Sequence, residues 1–327
     1  MEKTAVEASS HELARRRRLG DSRRKLRPER GPSELAEKSD QGETVSKTNK
    51  NFRPDPVGAE IEIPANVNEA VTACWPELAP AWLKKAPDEL ARICERYEIR
   101  PVRTFNARYG FVVEIATTHG RLVVRSTPDP RGMDQAQVAQ ALANMGVGPR
   151  IHDVVQTPVS VWTVASRIFP GDSLKGEAVP VERLAPIFRK MLDRRTENDR
   201  LPTLVDWLRS RLNDERPNDL PSGRFRASRP ERLRAAAILE KLGTGDSNMV
   251  CHGDASSSNI LVGDGEELFL VDPRGVSGDV CYDVAVAAWK TPTDEQASVR
   301  ATNLARLVGV DTERVRAWLI IAKAARV

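Results

Sequence analysis

Residues 249–273 constrain the fold of this chain more than any other stretch. Three apolar runs, Met249–Cys251, Ile260–Val262 and Leu268–Val271, are each too short for a helix and read as strands. The second and third are joined across Gly263-Asp264-Gly265, a turn signal, and so form a hairpin. Between the first and second lies a polar loop from His252 to Asn259. Asp254 and Asn259 therefore sit on a loop between short strands. Asp272 sits just past the end of the returning strand.

These residue types suit one kind of chemistry. Phosphoryl transfer asks for positioning and charge stabilisation more than for covalent participation. Mg²⁺ prefers hard oxygen ligands, usually one or two carboxylates completed by phosphates and water. The carboxylate of Asp272 and the amide oxygen of Asn259 meet that preference; a Cys or Met would not. Asp254 needs only to be ionised and within hydrogen-bond reach of an attacking hydroxyl to take its proton. A lone His-Gly-Asp or Asp-Pro is common. Specificity comes from the conjunction: acid, Asn five residues on, strand, turn, strand, acid.

The stretch resembles the aminoglycoside phosphotransferase family, a branch of the protein-kinase-like fold. The match continues through Asp272-Pro273-Arg274-Gly275-Val276-Ser277-Gly278-Asp279-Val280-Cys281-Tyr282-Asp283, which is most similar to the streptomycin 6-kinase and hydroxyurea kinase branch. It spans roughly residues 80–327 and is strongest over 249–290. The resemblance implies an α+β, two-lobed protein-kinase-like fold, with a small antiparallel-sheet N-lobe and a larger, mainly helical C-lobe. Residues 56–169 would form the nucleotide-covering N-lobe. Residues 170–327 would form the catalytic and acceptor-binding C-lobe. Asp254 would be the catalytic base, with Asn259 and Asp272 as metal ligands. Asp283 would brace the loop, although from the residues alone it reads equally as an acid at a helix N-terminus. His252 would pack behind the loop as an anchor.

Upstream pieces follow in the family's order. Phe105-Asn106-Ala107-Arg108-Tyr109-Gly110 precedes an apolar run, as a phosphate-covering loop does, but with one Gly it reads on its own as a hairpin turn. Phe111–Ala116 and Arg121–Ser126 form a hairpin about His119-Gly120. A helix over Asp134–Met145 is closed by Gly146-Val147-Gly148-Pro149. Val159–Phe169 reads as a strand. In the family such a strand leads into the hinge that holds the adenine ring, which places Ser166 and Phe169 at the nucleotide base. Two departures stand out. The family's phosphate-gripping Lys is replaced by Arg125, and its partner Glu by Gln135 or Gln137. Arg binds phosphate bidentately with a longer, wider head, so the exchange is not neutral.

Helices are expected over Asn66–Leu78 and Pro87–Tyr97. Leu184, Ile187, Phe188, Met191 and Leu192 repeat at helical spacing, with Pro186 required in the first turn. Thr203 and Asp206 form a capping signal, and Pro230–Leu242 is ended by Gly243. A helix begins in Val284–Trp289, and Asp294–Leu307 and Thr312–Ala325 complete the set.

A chain of 327 residues that is 40% hydrophobic and 29% charged can bury one sizeable core or two lobes. No run approaches 18 apolar residues, and the start lacks the apolar core of a secretory signal. Four cysteines without paired spacing fit neither a zinc site nor a disulfide framework, which points to a cytoplasmic, reducing location. Cys251 reads as a small buried apolar residue.

Residues 1–50 hold thirteen Lys/Arg and nine Asp/Glu, which accounts for the whole net charge of +4. Residues 1–55 read as a disordered basic tail, with Arg15–Arg18 and Arg23-Arg24-Lys25 as weak nucleic-acid contacts at most. The neutral body offers no field for nucleic acid or for a polycation. Carboxylates for a cationic acceptor would have to act locally, with Asp279, Asp193, Glu197 and Asp199 as candidates. The expected function is transfer of the γ-phosphate of ATP, with Mg²⁺, to a hydroxyl of an aminoglycoside-like acceptor, of the antibiotic-resistance type. The alternatives are a nucleotide-binding pseudokinase and a kinase of another small hydroxylated metabolite.

Overall fold

Apolar side chains at alternate positions of three strands give the small lobe its buried face. In β2 (Phe111–Thr117), Phe111, Val113 and Ile115 are fully buried. In β3 (Gly120–Thr127) Val124 is buried on the same side, and in β5 (Val161–Ser166) so are Trp162 and Val164. Successive side chains leave a strand on opposite faces, so Val123, Arg125, Thr163 and Ala165 share the other one. Register places Arg125 opposite Val112 and Thr163, and Val123 opposite Ala165.

The structure is a computed structural model that describes residues 61–327 apart from 199, 216, 218, 221–223 and 244–247. The expected tail with its basic runs, the first residues assigned to the N-lobe, and Asp199 lie outside the described residues. The sheet is wholly antiparallel, in the order β1-β2-β3-β5-β4, with β1 at Arg100–Thr104 and β4 at Ile151–Gln156. Helices α1 (Ala65–Cys74) and α2 (Ala79–Arg96) precede it, and α3 (Gly132–Asn144) is inserted between β3 and β4.

Trp82, Ala86, Leu90 and Ile93 of α2 pack with the buried face of the sheet in one apolar cluster. The helix starts eight residues before the expected Pro87 and runs through it. Pro in a helix interior costs about 3 kcal/mol. A fully buried large apolar side chain returns about 1.5–3 kcal/mol, and this stripe holds several.

The second lobe starts with β6 (Pro170–Ser173) and α4 (Val181–Arg189). Pro186 lies in the second turn of α4, not the first, because Val181 is buried too and the extended Pro180 starts the helix. Helix α5 (Leu204–Asn213) is capped by Thr203, whose hydroxyl accepts from the Asp206 N–H. Helix α6 (Arg229–Leu242) has a full capping box from Ser228 and Glu231.

Then come β7 (Val250–Cys251), a 3₁₀ turn at Ser257–Asn259, β8 (Ile260–Gly263), β9 (Leu268–Leu270) and β10 (Val276–Ser277). Helices α7 (Val280–Lys290), α8 (Ala297–Val308) and α9 (Thr312–Ala325) end the chain. Strands β8 and β9 form the expected hairpin, with β6 alongside, and β7 pairs with β10. One large apolar core joins α4 to α9 with Val138 and Leu142 of α3. The result is a two-lobed α+β fold with a small sheet-based lobe and a larger, mainly helical one.

Gly275 fixes how α3 meets the loop after Asp272. Its φ is +72°, and an added Cβ would come within 2.7 Å of the Gln135 nitrogen and 2.9 Å of the Asp134 carbonyl carbon. Gly176, at φ +85°, has nothing within 4 Å of that position. We expect Gly176→Ala to cost about 1 kcal/mol from backbone strain alone, and Gly275→Ala at least about twice that. Urea denaturation of the two variants checks this; equal losses would show that α3 and the loop are not in firm contact.

Candidate active site

A buried histidine and a buried carboxylate set the loop that carries Asp254. His252 is fully buried. Its Nε2 lies 2.9 Å from the Val271 carbonyl, and its Nδ1 accepts from the Asp254 N–H at 3.2 Å. A carbonyl only accepts and an amide N–H only donates, so the imidazole is the neutral Nε2–H tautomer. It ties the Asp254 loop to the residue before Asp272, as the anchor expected from the sequence would. Burial pushes its pKa below the usual value of 6.5, although Asp254 pulls the other way. Asp283, also fully buried, accepts from the His252 N–H at 2.7 Å and the Gly253 N–H at 2.9 Å. Burial pushes its carboxyl up to about 7, against the pull of those two donors.

Asp254 lies between two cations. Arg274 Nη2 is 3.3 Å from Oδ2, and Lys290 Nζ is 3.7 Å from Oδ1. Burial alone would raise the Asp254 carboxyl, but Lys290 and Arg274 outweigh it and hold the pKa below the ordinary value. Asp254 is therefore a carboxylate at neutral pH. Asn259 donates its amide N–H to the Asp254 carbonyl at 2.9 Å. That bond fixes the amide's orientation and leaves its oxygen without a donor to satisfy. Asp272 follows β9 in the left-handed region, at φ +58°, a conformation Asp tolerates better than most residues. Its side chain is 46% exposed and pairs with Arg125 Nη2 at 2.5 Å.

The exchange of Lys and Glu for Arg and Gln is resolved in favour of one glutamine. Gln135 Oε1 accepts from Arg125 Nη1 at 3.2 Å, while Gln137 turns to Asn198. The inward face of the sheet, the β1–β2 loop from Phe105 to Gly110 and the Asp254 loop line a cleft of about 1240 Å³. Arg125, Ser166, Asp254, Asn259 and Asp272 all border it. Phe169 does not. Its ring is 52% exposed and lies against the Arg167 guanidinium, while Arg167 and Ile168 border the cleft at that point.

A smaller cavity of about 240 Å³ adjoins on the other side of Asp254, walled by Trp75, Tyr109 and Trp207. Of the acids proposed for a cationic acceptor, the three described ones, Asp193, Glu197 and Asp279, border neither space. Asp279 caps α7 through the Cys281 N–H and holds Trp318 and Arg314. Asp193 and Glu197 are exposed outside the cleft.

Sequence reasoning did not find Lys290, or the two Trp and Tyr109 of the small cavity. Lys290 was legible in principle. It stands seven residues after Asp283, two turns along the same helix face. The aromatic wall was not, because Trp75, Tyr109 and Trp207 come from three distant segments with no shared pattern.

A family model described as the phosphotransferase enzyme family, APH, matches residues 101–318. No curated protein matches the sequence. Among solved structures, a choline/ethanolamine kinase family protein from Mesorhizobium loti is similar with a TM-score of 0.53 at 18% identity, covering 73% of this chain and 83% of its own. Choline kinase LicA from Streptococcus pneumoniae gives 0.52 at 13%, covering 73% and 88%. An aminoglycoside-3'-phosphotransferase of type VIII gives 0.50 at 19%, covering 72% and 98%. At these identities the likeness is one of fold, and that fold is the kinase-like one.

His252 gives the site a pH signature. Below pH 6.5 the unfolded chain binds a proton that the native imidazole refuses, so stability falls with pH, by up to about 1.4 kcal/mol per unit from this group. Asp283 works in the opposite sense between about pH 4 and 7, because the native state holds its proton there. The comparison of wild type with His252→Asn isolates the imidazole. We expect the stability advantage of the wild type to narrow as pH drops from 6.5 to 4.5 in urea titrations; a constant gap would show that His252 titrates normally.

Proposed function

Because the chain belongs to the phosphotransferase enzyme family, we propose that it moves the γ-phosphate of ATP to a hydroxyl of a small, polyhydroxylated, aminoglycoside-like acceptor. The single observation that carries this reading is the convergence of Asp254, Asn259 and Asp272 on one cleft, locked together by His252 and by the Asn259 amide. Within the family, the run from Asp272 to Asp283 supports the streptomycin 6-kinase and hydroxyurea kinase branch. Four free cysteines and the absence of any described helix long and apolar enough to cross a membrane accord with a cytoplasmic enzyme.

The donor set fits Mg²⁺. Asp272 offers an accessible carboxylate and Asn259 an uncommitted amide oxygen. Among the described residues no group of three His, Cys, Asp or Glu could hold an ion alone, so the nucleotide's phosphates would complete the shell, as Mg²⁺ prefers. When bound, the ion neutralises charge on the phosphates. Arg125 faces the same space and would grip phosphate oxygens once released from Asp272. The segment Ser166–Phe169 would hold the base, with Ile168 rather than Phe169 turned inward. Asp254 would orient the acceptor hydroxyl and take its proton. Its lowered pKa makes it a weak base, which suits a loose transition state in which the proton moves late.

One observation favours a second acceptor class. Each carboxylate of the small cavity already faces a guanidinium: Asp129 and Arg131 at 3.8 Å, Asp219 and Arg211 at 2.8 Å, Asp254 and Arg274 at 3.3 Å, Asp272 and Arg125 at 2.5 Å. A polycation would find no uncompensated acid there. A less charged hydroxylated metabolite with an apolar face would suit the aromatic walls. A pseudokinase, suggested by Arg125 and Gln135, would bind nucleotide without turnover.

A γ-labelled ATP assay against aminoglycosides, neutral sugars, choline and hydroxyurea tests these readings. We expect transfer to one class, reduced about 10²–10⁴-fold in Asp254→Asn with ATP affinity unchanged. Unchanged turnover in that variant would refute the role of Asp254. Magnesium-dependent binding of ATP with no transfer to any acceptor would favour the pseudokinase.

A further inference from the structure

Lys290 closes α7 and belongs to no recognised pattern, yet it is one of two cations beside Asp254. The two stand on different sides. Arg274 borders the small cavity and not the large cleft; Lys290 borders the large cleft and not the small cavity. Arg274 is engaged twice, by Asp254 and by the Trp207 ring at 4.9 Å. The Lys290 ammonium is held more loosely. It is 3.7 Å from Asp254 Oδ1, beyond hydrogen-bond length, and 5.7 Å from the Trp289 ring centre. Asp254 Oδ1 is buried and receives no hydrogen bond. The main chain beneath Lys290 is fixed, since its carbonyl accepts from Ser257 Oγ of the Asp254 loop at 3.0 Å. The lysine is thus aimed into the nucleotide side of the site, with a 26% exposed side chain and room to move.

We propose that Lys290 is a catalytic residue whose ammonium contacts the γ-phosphoryl group, a role that rests on the phosphotransferase reading above. The charge balance of the transfer gives such a group a use. The acceptor O–H gives its proton to Asp254, and the acceptor oxygen bonds to the γ-phosphorus. The bond from that phosphorus to the β,γ-bridging oxygen breaks, and its electron pair leaves with ADP. Asp254 ends neutral. The positive charge that compensated its carboxylate is released beside the moving phosphoryl group, and on the nucleotide side that charge belongs to Lys290. Burial lowers the lysine pKa while Asp254 raises it, which accords with an ammonium that needs an anionic partner.

Calorimetric binding of Mg-ATP and Mg-ADP to the full chain tests this without knowledge of the acceptor. In Lys290→Met we expect ATP affinity to fall about tenfold and ADP affinity to stay unchanged. Lys290→Arg should restore most of the preference for ATP. Equal losses for both nucleotides, or no loss for either, would overturn the role. A wild type that binds neither nucleotide would sink the phosphotransferase reading itself, and is told apart because the unaltered chain fails. Thermal melting of both variants identifies misfolding, and a folded Lys290→Arg that binds ATP no better than Lys290→Met also overturns the proposal.

Discussion

The site depends on the carboxylate of Asp283. Two successive N–H groups, of His252 and Gly253, leave β7 in a fully buried setting and would otherwise have no acceptor. An unmade buried hydrogen bond costs about 1–3 kcal/mol, and more where the lost partner is charged. Asp283 satisfies both at once from the first turn of α7. That helix is itself held to α9, because its cap Asp279 binds Trp318 and Arg314, and Tyr282 meets Trp318 edge to face at 5.7 Å. The Asp254 loop is therefore an extension of the helical core. His252 then carries the constraint across to Val271 and so to Asp272.

Onto this frame the chain adds ion pairs that are easy to exchange. Arg125 and Asp272 are both partly exposed, and pairs of that kind are worth about 0–1 kcal/mol. In the proposed reaction a nucleotide with its metal would offer each partner a stronger ligand, at little cost for separating them. The pairs around Asp254 are more enclosed and set its ionisation. In the proposed transfer the same two cations would weaken it as a base and prepare for the loss of its charge. Stability in this site comes from the buried hydrogen bonds of Asp283 and His252, and the partly exposed ion pair remains available for exchange.

The hairpin that returns Asp272 to Asp254 was legible because short apolar runs, a Gly-Asp-Gly turn and fixed spacing leave few alternatives. So was the amphipathic character of α4, and Thr312–Ala325 matches α9 at both ends. Boundaries failed where burial overrode local signals. Pro87 read as a helix start and Pro186 as a first-turn residue, and both lie further inside helices whose apolar stripes outweigh them. Phe169 lies off the cleft for a related reason. The segment Val159–Phe169 read as one continuous strand, but pairing with β3 stops at Ser166, and Ile168 then borders the cleft. Asp279 looked like a free acid only because its partners lie 35 and 39 residues further on.

The departure at Arg125 is better understood as a displaced charge than as a lost one. Gln135 cannot attract a cation as a carboxylate would. Its amide nitrogen, however, donates to Asp129 Oδ2 at 2.8 Å, which turns its oxygen toward Arg125. Asp129 thus supplies the negative charge one side chain further out, with the glutamine as the link. A guanidinium reaches farther than an ammonium and carries five donors to its three. One of them meets Gln135 and another Asp272, and in the proposed role the rest would serve phosphate. The longer cation and the retreated acid compensate each other in reach, so the two substitutions make physical sense only as a pair.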